Sequence, residues 1–91
     1  MATPSATRRL TVTHHGGIHA RPALAIVKTV QRFRSKVRLR AGGQEGDAGE
    51  ILQLMSMGIS DGTEVTFSAQ GPDAEDVLDA LAKLFADDFG M

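Results

Sequence analysis

The residues that invite chemistry stand together at His19-Ala20-Arg21-Pro22, directly after the pair Gly16-Gly17 and Ile18. Glycine lets the chain turn sharply without a Cβ conflict. Beyond the turn, Ala23, Ile26, Val27, Val30 and Phe33 recur at the spacing of a buried helical stripe, which predicts a helix beginning near His19. Pro22 suits a first turn, where its missing N–H would have had no intrahelical partner. The His19 imidazole would then lie beside unpaired backbone N–H groups, that of Ala20 among them, and the positive end of a helix dipole. Arg21 adds a permanent cation whose planar fork of donors suits phosphate oxygens. The combination points to a phosphate on, or next to, His19. The plainer alternative is a histidine that only caps backbone donors.

Composition narrows the field. Ninety-one residues make room for one compact domain over 1–91, with 1–7, small and polar, read as a flexible tail. A net charge of −1 gives no general basic field, which argues against nucleic acid as a partner. The absence of cysteine removes disulfides, thiolate metal sites and thiol nucleophiles together. No apolar run is long enough to span a bilayer, and the first residues lack the apolar centre of a signal peptide. A cytoplasmic, monomeric protein is the expectation.

The elements that must hold the site follow from periodicity. Leu10 and Val12 alternate with threonines as a first strand, and the first helix runs to about Phe33 or Arg34. Val37, Leu39 and Ala41 alternate with Lys36, Arg38 and Arg40 as a second strand, which Gly42-Gly43 turns into a weaker third strand over 44–48. Ile51, Leu52, Leu54, Met55 and Ile59 form a short apolar helix and its exit, with Gly58 placed to end it. Val65, Phe67 and Ala69 mark the last strand, and Asp73 is the expected N-cap of a final helix carrying Val77, Leu78, Leu81 and Phe85. The order β-α-β-β-α-β-α implies an α+β domain with helices on one face of a small antiparallel sheet.

The segment Gly17-Ile18-His19-Ala20-Arg21-Pro22-Ala23 resembles the active-site signature of HPr, the histidine-containing phosphocarrier family of the bacterial phosphotransferase system. The stretch 51–59 is similar to the family's short second helix, and 62–67 to the strand after it. The likeness implies an open-faced β-sandwich, a four-stranded antiparallel sheet with three helices on one face. It also implies that His19 is phosphorylated on Nδ1 by phosphorylated Enzyme I, drawing on phosphoenolpyruvate, and passes the group to an Enzyme IIA acceptor in sugar uptake. Such a protein is a carrier rather than a stand-alone catalyst and needs no cofactor or metal. Imidazole suits the task because it keeps a neutral nucleophilic nitrogen near neutral pH and forms a phosphoramidate of high transfer potential.

The same resemblance marks Ile51, Leu52 and Met55 as partner contacts, with Leu54 in the core and Arg21 and Lys28 as basic neighbours. Methionine adapts to several partners, and so short a helix in so small a domain cannot bury every apolar side chain it carries. Two positions depart from the family pattern. Gly16 stands where asparagine is usual, and Glu50 stands where many members carry a regulatory serine. Glutamate cannot accept that phosphate; its charge either imitates the phosphoserine form or simply favours the helix start. Two rival functions remain: a regulatory HPr-like relay, nitrogen-related or transporter-less, and a non-covalent anion- or metal-binding module. The metal version would use His14, His15 and His19, although adjacent strand residues point to opposite faces.

Overall fold

The computed structural model describes residues 4–13 and 15–90. Its elements are β1 (Ser5–Thr11), α1 (Ala20–Gln31), β2 (Lys36–Ala41), β3 (Gln44–Asp47), α2 (Ile51–Ser56), β4 (Glu64–Gln70) and α3 (Ala74–Ala86), closed by a short turn at Asp88–Gly90. The sheet is four-stranded in the order β1-β4-β2-β3, and each neighbouring pair is antiparallel. β1 and β2 are therefore parallel to one another, with β4 inserted between them.

Alternation within the strands sorts their side chains. Val37, Leu39, Val65, Phe67 and Ala69 are buried, while Lys36, Arg38, Arg40, Glu64, Ser68 and Gln70 face outward. The helices cover the apolar side: α1 contributes Ala23, Ile26, Val27 and Val30, and α3 contributes Val77, Leu78, Leu81 and Phe85. Phe67 meets Phe85 edge to face at 5.6 Å between ring centroids, so strand and helix are joined through an aromatic pair. Each fully buried side chain of this size contributes about 1.5–3 kcal/mol of transfer free energy. This is the α+β architecture expected from the pattern and the open-faced sandwich that the resemblance implies.

Two boundaries differ from the sequence reading. The tail expected over 1–7 is corrected at its inner end: Ser5, Ala6 and Thr7 belong to β1, paired with Gln70, Ala69 and Ser68. The partner strand orders them, which a local pattern of small polar residues does not reveal. The first helix ends at Gln31 rather than Phe33 or Arg34. Arg32 and Phe33 N–H donate to Thr29 and Val30 three residues back, tightening the last turn, and Arg34 N–H donates to the Asp73 carboxylate.

Asp73 holds the N-cap position of α3 without making a side-chain cap bond. Its carboxylate instead accepts the Ser35 hydroxyl at 2.6 Å, the Ser35 amide at 2.9 Å and the Arg34 amide at 2.9 Å, tying the entry of β2 to the start of α3. The Ser35 hydroxyl, then the Arg34 amide, hold its carboxyl below the ordinary value of 3.8. A carboxylate with a depressed folded value contributes stability that is present above the unfolded value and lost as pH falls through the folded one. Asp73→Asn is expected to lower the melting temperature at pH 7, with the deficit shrinking as pH falls below 3.8. Thermal melts from neutral to acid pH check it, and a deficit that does not shrink in acid contradicts it.

Candidate functional site

β1 delivers the chain to a loop clamped against the segment before β4. Val12 N–H donates to Thr63 at 2.9 Å, Gly62 N–H donates to Val12 at 2.7 Å, and Ile18 N–H donates to Ile59 at 2.8 Å. Gly17 lies against that segment with φ +76°; a Cβ there would collide with the Ile59 carbonyl oxygen and stand 2.7 Å from Ser60 Cα. No other residue fits. Ile18 is buried and anchors the loop, and the next residue, His19, is exposed at the N-cap of α1.

His19 accepts the Ala23 N–H at its backbone carbonyl, 2.9 Å, but its side chain makes no cap bond. A side-chain cap bond, the plainer alternative, is therefore not formed. The Cδ2–Nε2 edge of the ring faces Gly16, both atoms being 3.6 Å from where a Cβ of that glycine would stand. Nδ1 is the ring vertex opposite that edge. The Ala20 and Arg21 amides precede the first intrahelical bond of α1, and Pro22 has no N–H to offer.

Arg21, Leu24 and Lys28 lie on one side of α1 and, with Ala25, Phe89 and Gly90, line a shallow cleft of about 260 Å³. The closing turn reaches it through two left-handed residues, Asp88 (φ 52°) and Phe89 (φ 60°). Phe89 is buried and packs on Phe85 at 4.7 Å between centroids, which offsets the backbone strain with apolar contact. Neither Leu24 nor this turn was legible as part of the site. The only signal for Leu24, 43% exposed, is that it is apolar yet falls off the buried stripe of its helix.

α2 packs beside α1. Leu54 is fully buried, Ile51 is half-buried, and Leu52 and Met55 are 77% and 41% exposed. Glu50 is exposed at the N-cap of α2 and makes no side-chain cap bond there; its N–H donates to Asp47. Among the described residues no group of three His, Cys, Asp or Glu side chains could hold a metal ion. His14, one of the three imidazoles weighed for zinc, lies outside the described residues. Among the described residues no helix is long and apolar enough to cross a membrane.

The family described as PTS HPr component phosphorylation site matches residues 6–87. The chain belongs to the HPr family. Phosphocarrier protein HPr of Mycoplasma capricolum is 34% identical over 76 residues, 84% of this chain and 85% of that protein. Among solved structures, HPr-C-His from Thermoanaerobacter tengcongensis is 32% identical and superposes with a TM-score of 0.90 over 94% of this chain and 97% of its own. Crh, the catabolite repression containing protein of Bacillus subtilis, crystallised as a swapped dimer, is 38% identical with a TM-score of 0.73 over 89% and 93%. Membership in the HPr family makes this chain a phosphocarrier-type component of the phosphotransferase system, not a stand-alone enzyme.

Proposed function

We propose that His19 accepts a phosphoryl group from phosphorylated Enzyme I and passes it to an Enzyme IIA-type acceptor in cytoplasmic sugar uptake. The observation that carries this is an exposed imidazole at a helix N-cap, making no cap bond, at the head of a first turn that carries Arg21 and the amides of Ala20 and Arg21. The Nδ1 lone pair attacks phosphorus as the bond from phosphorus to the donor's leaving group breaks. The incoming group brings about one and a half to two negative charges near neutral pH. Arg21, two residues on, and the amides of Ala20 and Arg21 would share that charge. Their number is modest, which suits a relay: a tighter clamp would trap the phosphate.

Incubation with phosphoenolpyruvate and Enzyme I, followed by intact mass measurement before and after mild acid, tests the reading. A gain of one phosphoryl group that acid removes supports it. No gain, with the same enzyme phosphorylating a known HPr, overturns it.

Ile51, Leu52, Met55 and Lys28 form the proposed docking surface, with Leu24 added by the fold. Leu52 is nearly free of the core, so Leu52→Asp is expected to leave the melting temperature within a degree or two and to raise the KM for transfer from Enzyme I on the order of tenfold, typical of losing one apolar anchor. An unchanged KM removes Leu52 from the interface.

Glu50 supplies a fixed negative charge at the edge of this surface and no hydroxyl for a serine kinase. Glu50→Gln is expected to alter the transfer rate to His19 by a few-fold, and an unchanged rate leaves the charge without a docking role. The likeness to Crh favours a second reading, in which the phosphorylation state is read by a regulator. Failure of the phosphorylated chain to donate to any Enzyme IIA would favour that role.

A further inference from the structure

The outer face of the sheet carries a second concavity, on the side away from the helices and at the end of β1 remote from His19. It measures about 480 Å³, within the range of small-molecule sites. Two cross-strand rows form it. Ser5, Gln70 and Lys36 are register partners, and so are Thr7, Ser68, Arg38 and Asp47 two residues further along. Side chains in such rows stand on one face with the rows about 7 Å apart. β1 and β4 offer short hydroxyl groups as a floor, and the long basic side chains of β2 rise at one side.

The charges at this side are prearranged. Arg38 engages Glu45 through Nε at 2.6 Å, which orients the guanidinium while both terminal nitrogens keep their donors. Lys36 has no ion-pair partner among the described residues. Asp47, opposite Arg38, is fixed by accepting the Gly49 N–H on Oδ1 at 2.8 Å. Its second oxygen is an acceptor for a hydroxyl and a repellent for a bare anion. The sequence itself is polarised in the same sense: no acidic residue precedes Glu45, and every basic residue except Lys83 does.

We propose that this cleft binds a small phosphomonoester bearing hydroxyl groups, with the phosphate on Lys36 and Arg38 and a hydroxyl on Asp47. No aromatic side chain lines it, so base stacking contributes nothing and a nucleic acid strand is the poorer fit. The site is separate from His19 and stands or falls independently of the carrier reaction.

Titration of the ¹⁵N-labelled full chain with ribose 5-phosphate tests it, with ribose and inorganic phosphate as comparison ligands. The expected result is saturable amide shifts at Thr7, Lys36, Arg38 and Ser68 with a Kd of about 1 mM or tighter. Ribose should give none, and inorganic phosphate should bind at least about tenfold more weakly. Lys36→Gln should raise the Kd about tenfold, 1.4 kcal/mol, while His19→Ala leaves it unchanged. Absence of shifts, shifts centred on Ala20 and Arg21, or equal binding of inorganic phosphate would each overturn the proposal.

Discussion

His19→Ala is expected to take up no phosphoryl group at all, with the fold intact. The loss is complete rather than graded because the residue forms the bond itself; no neighbour offers a second nucleophile at that point in the helix start. His15 is exposed in the loop before Gly16, but it is not at the N-cap of α1. Structurally the change should be mild, since the side chain is exposed and makes no cap bond, while the carbonyl that receives the Ala23 N–H is retained. Intact mass after incubation with phosphoenolpyruvate and Enzyme I reads the first effect, and a thermal melt reads the second. Persistent acid-labile phosphate on the variant would move the acceptor elsewhere in the chain.

Gly17→Ala carries the largest expected cost in stability. Two effects add: a left-handed backbone costs a Cβ-bearing residue about 1–2 kcal/mol, and forcing the methyl past the Ile59 carbonyl and Ser60 costs about 1–3 kcal/mol more. A combined loss of about 2–5 kcal/mol is a large share of the 5–15 kcal/mol that holds a typical domain together. Gly62→Ala isolates the first effect, because Gly62 also has a positive φ, +88°, but a Cβ there meets nothing within 4 Å. Denaturant unfolding should therefore place Gly17→Ala well below Gly62→Ala, and equal midpoints would mean that the loop yields freely. Transfer to His19 should fall further than stability alone explains, since a shift of about 1 Å in a reacting group can cost a hundredfold.

Much of this arrangement is written locally. The double glycine, Pro22 and the stripe after it place His19 at a helix start because each acts through its own backbone preferences. The exposed Leu52 and Met55 beside a buried Leu54 follow from a helix too short to hide them. What escaped is contributed by residues far apart in sequence. Asp73 looks like a helix cap because its type and position fit one, yet Ser35 and Arg34, on another element, claim its oxygens. Ser5 to Thr7 look like a frayed end because nothing nearby says that β4 will pair with them. Arg8 interrupts the apolar alternation of β1, and only the fold reveals why: it reaches Asp79 at 2.8 Å and Glu75 at 3.6 Å on α3. Sheet order was equally hidden, since the insertion of β4 between β1 and β2 is a fact about three separated segments.

That insertion bears on how the protein is made. β1 has one sheet neighbour, and it is the last strand to leave the ribosome. The bonds that clamp the acceptor loop, from Val12, Ile18 and Gly62, likewise wait for Ile59 and Thr63 to be synthesised. Pairing across such a sequence separation must close a long loop before it gains anything. A nascent chain with α1, β2, β3 and α2 already complete still presents His19 on an unanchored segment, so the histidine that appears early in translation acquires its working geometry only near the end.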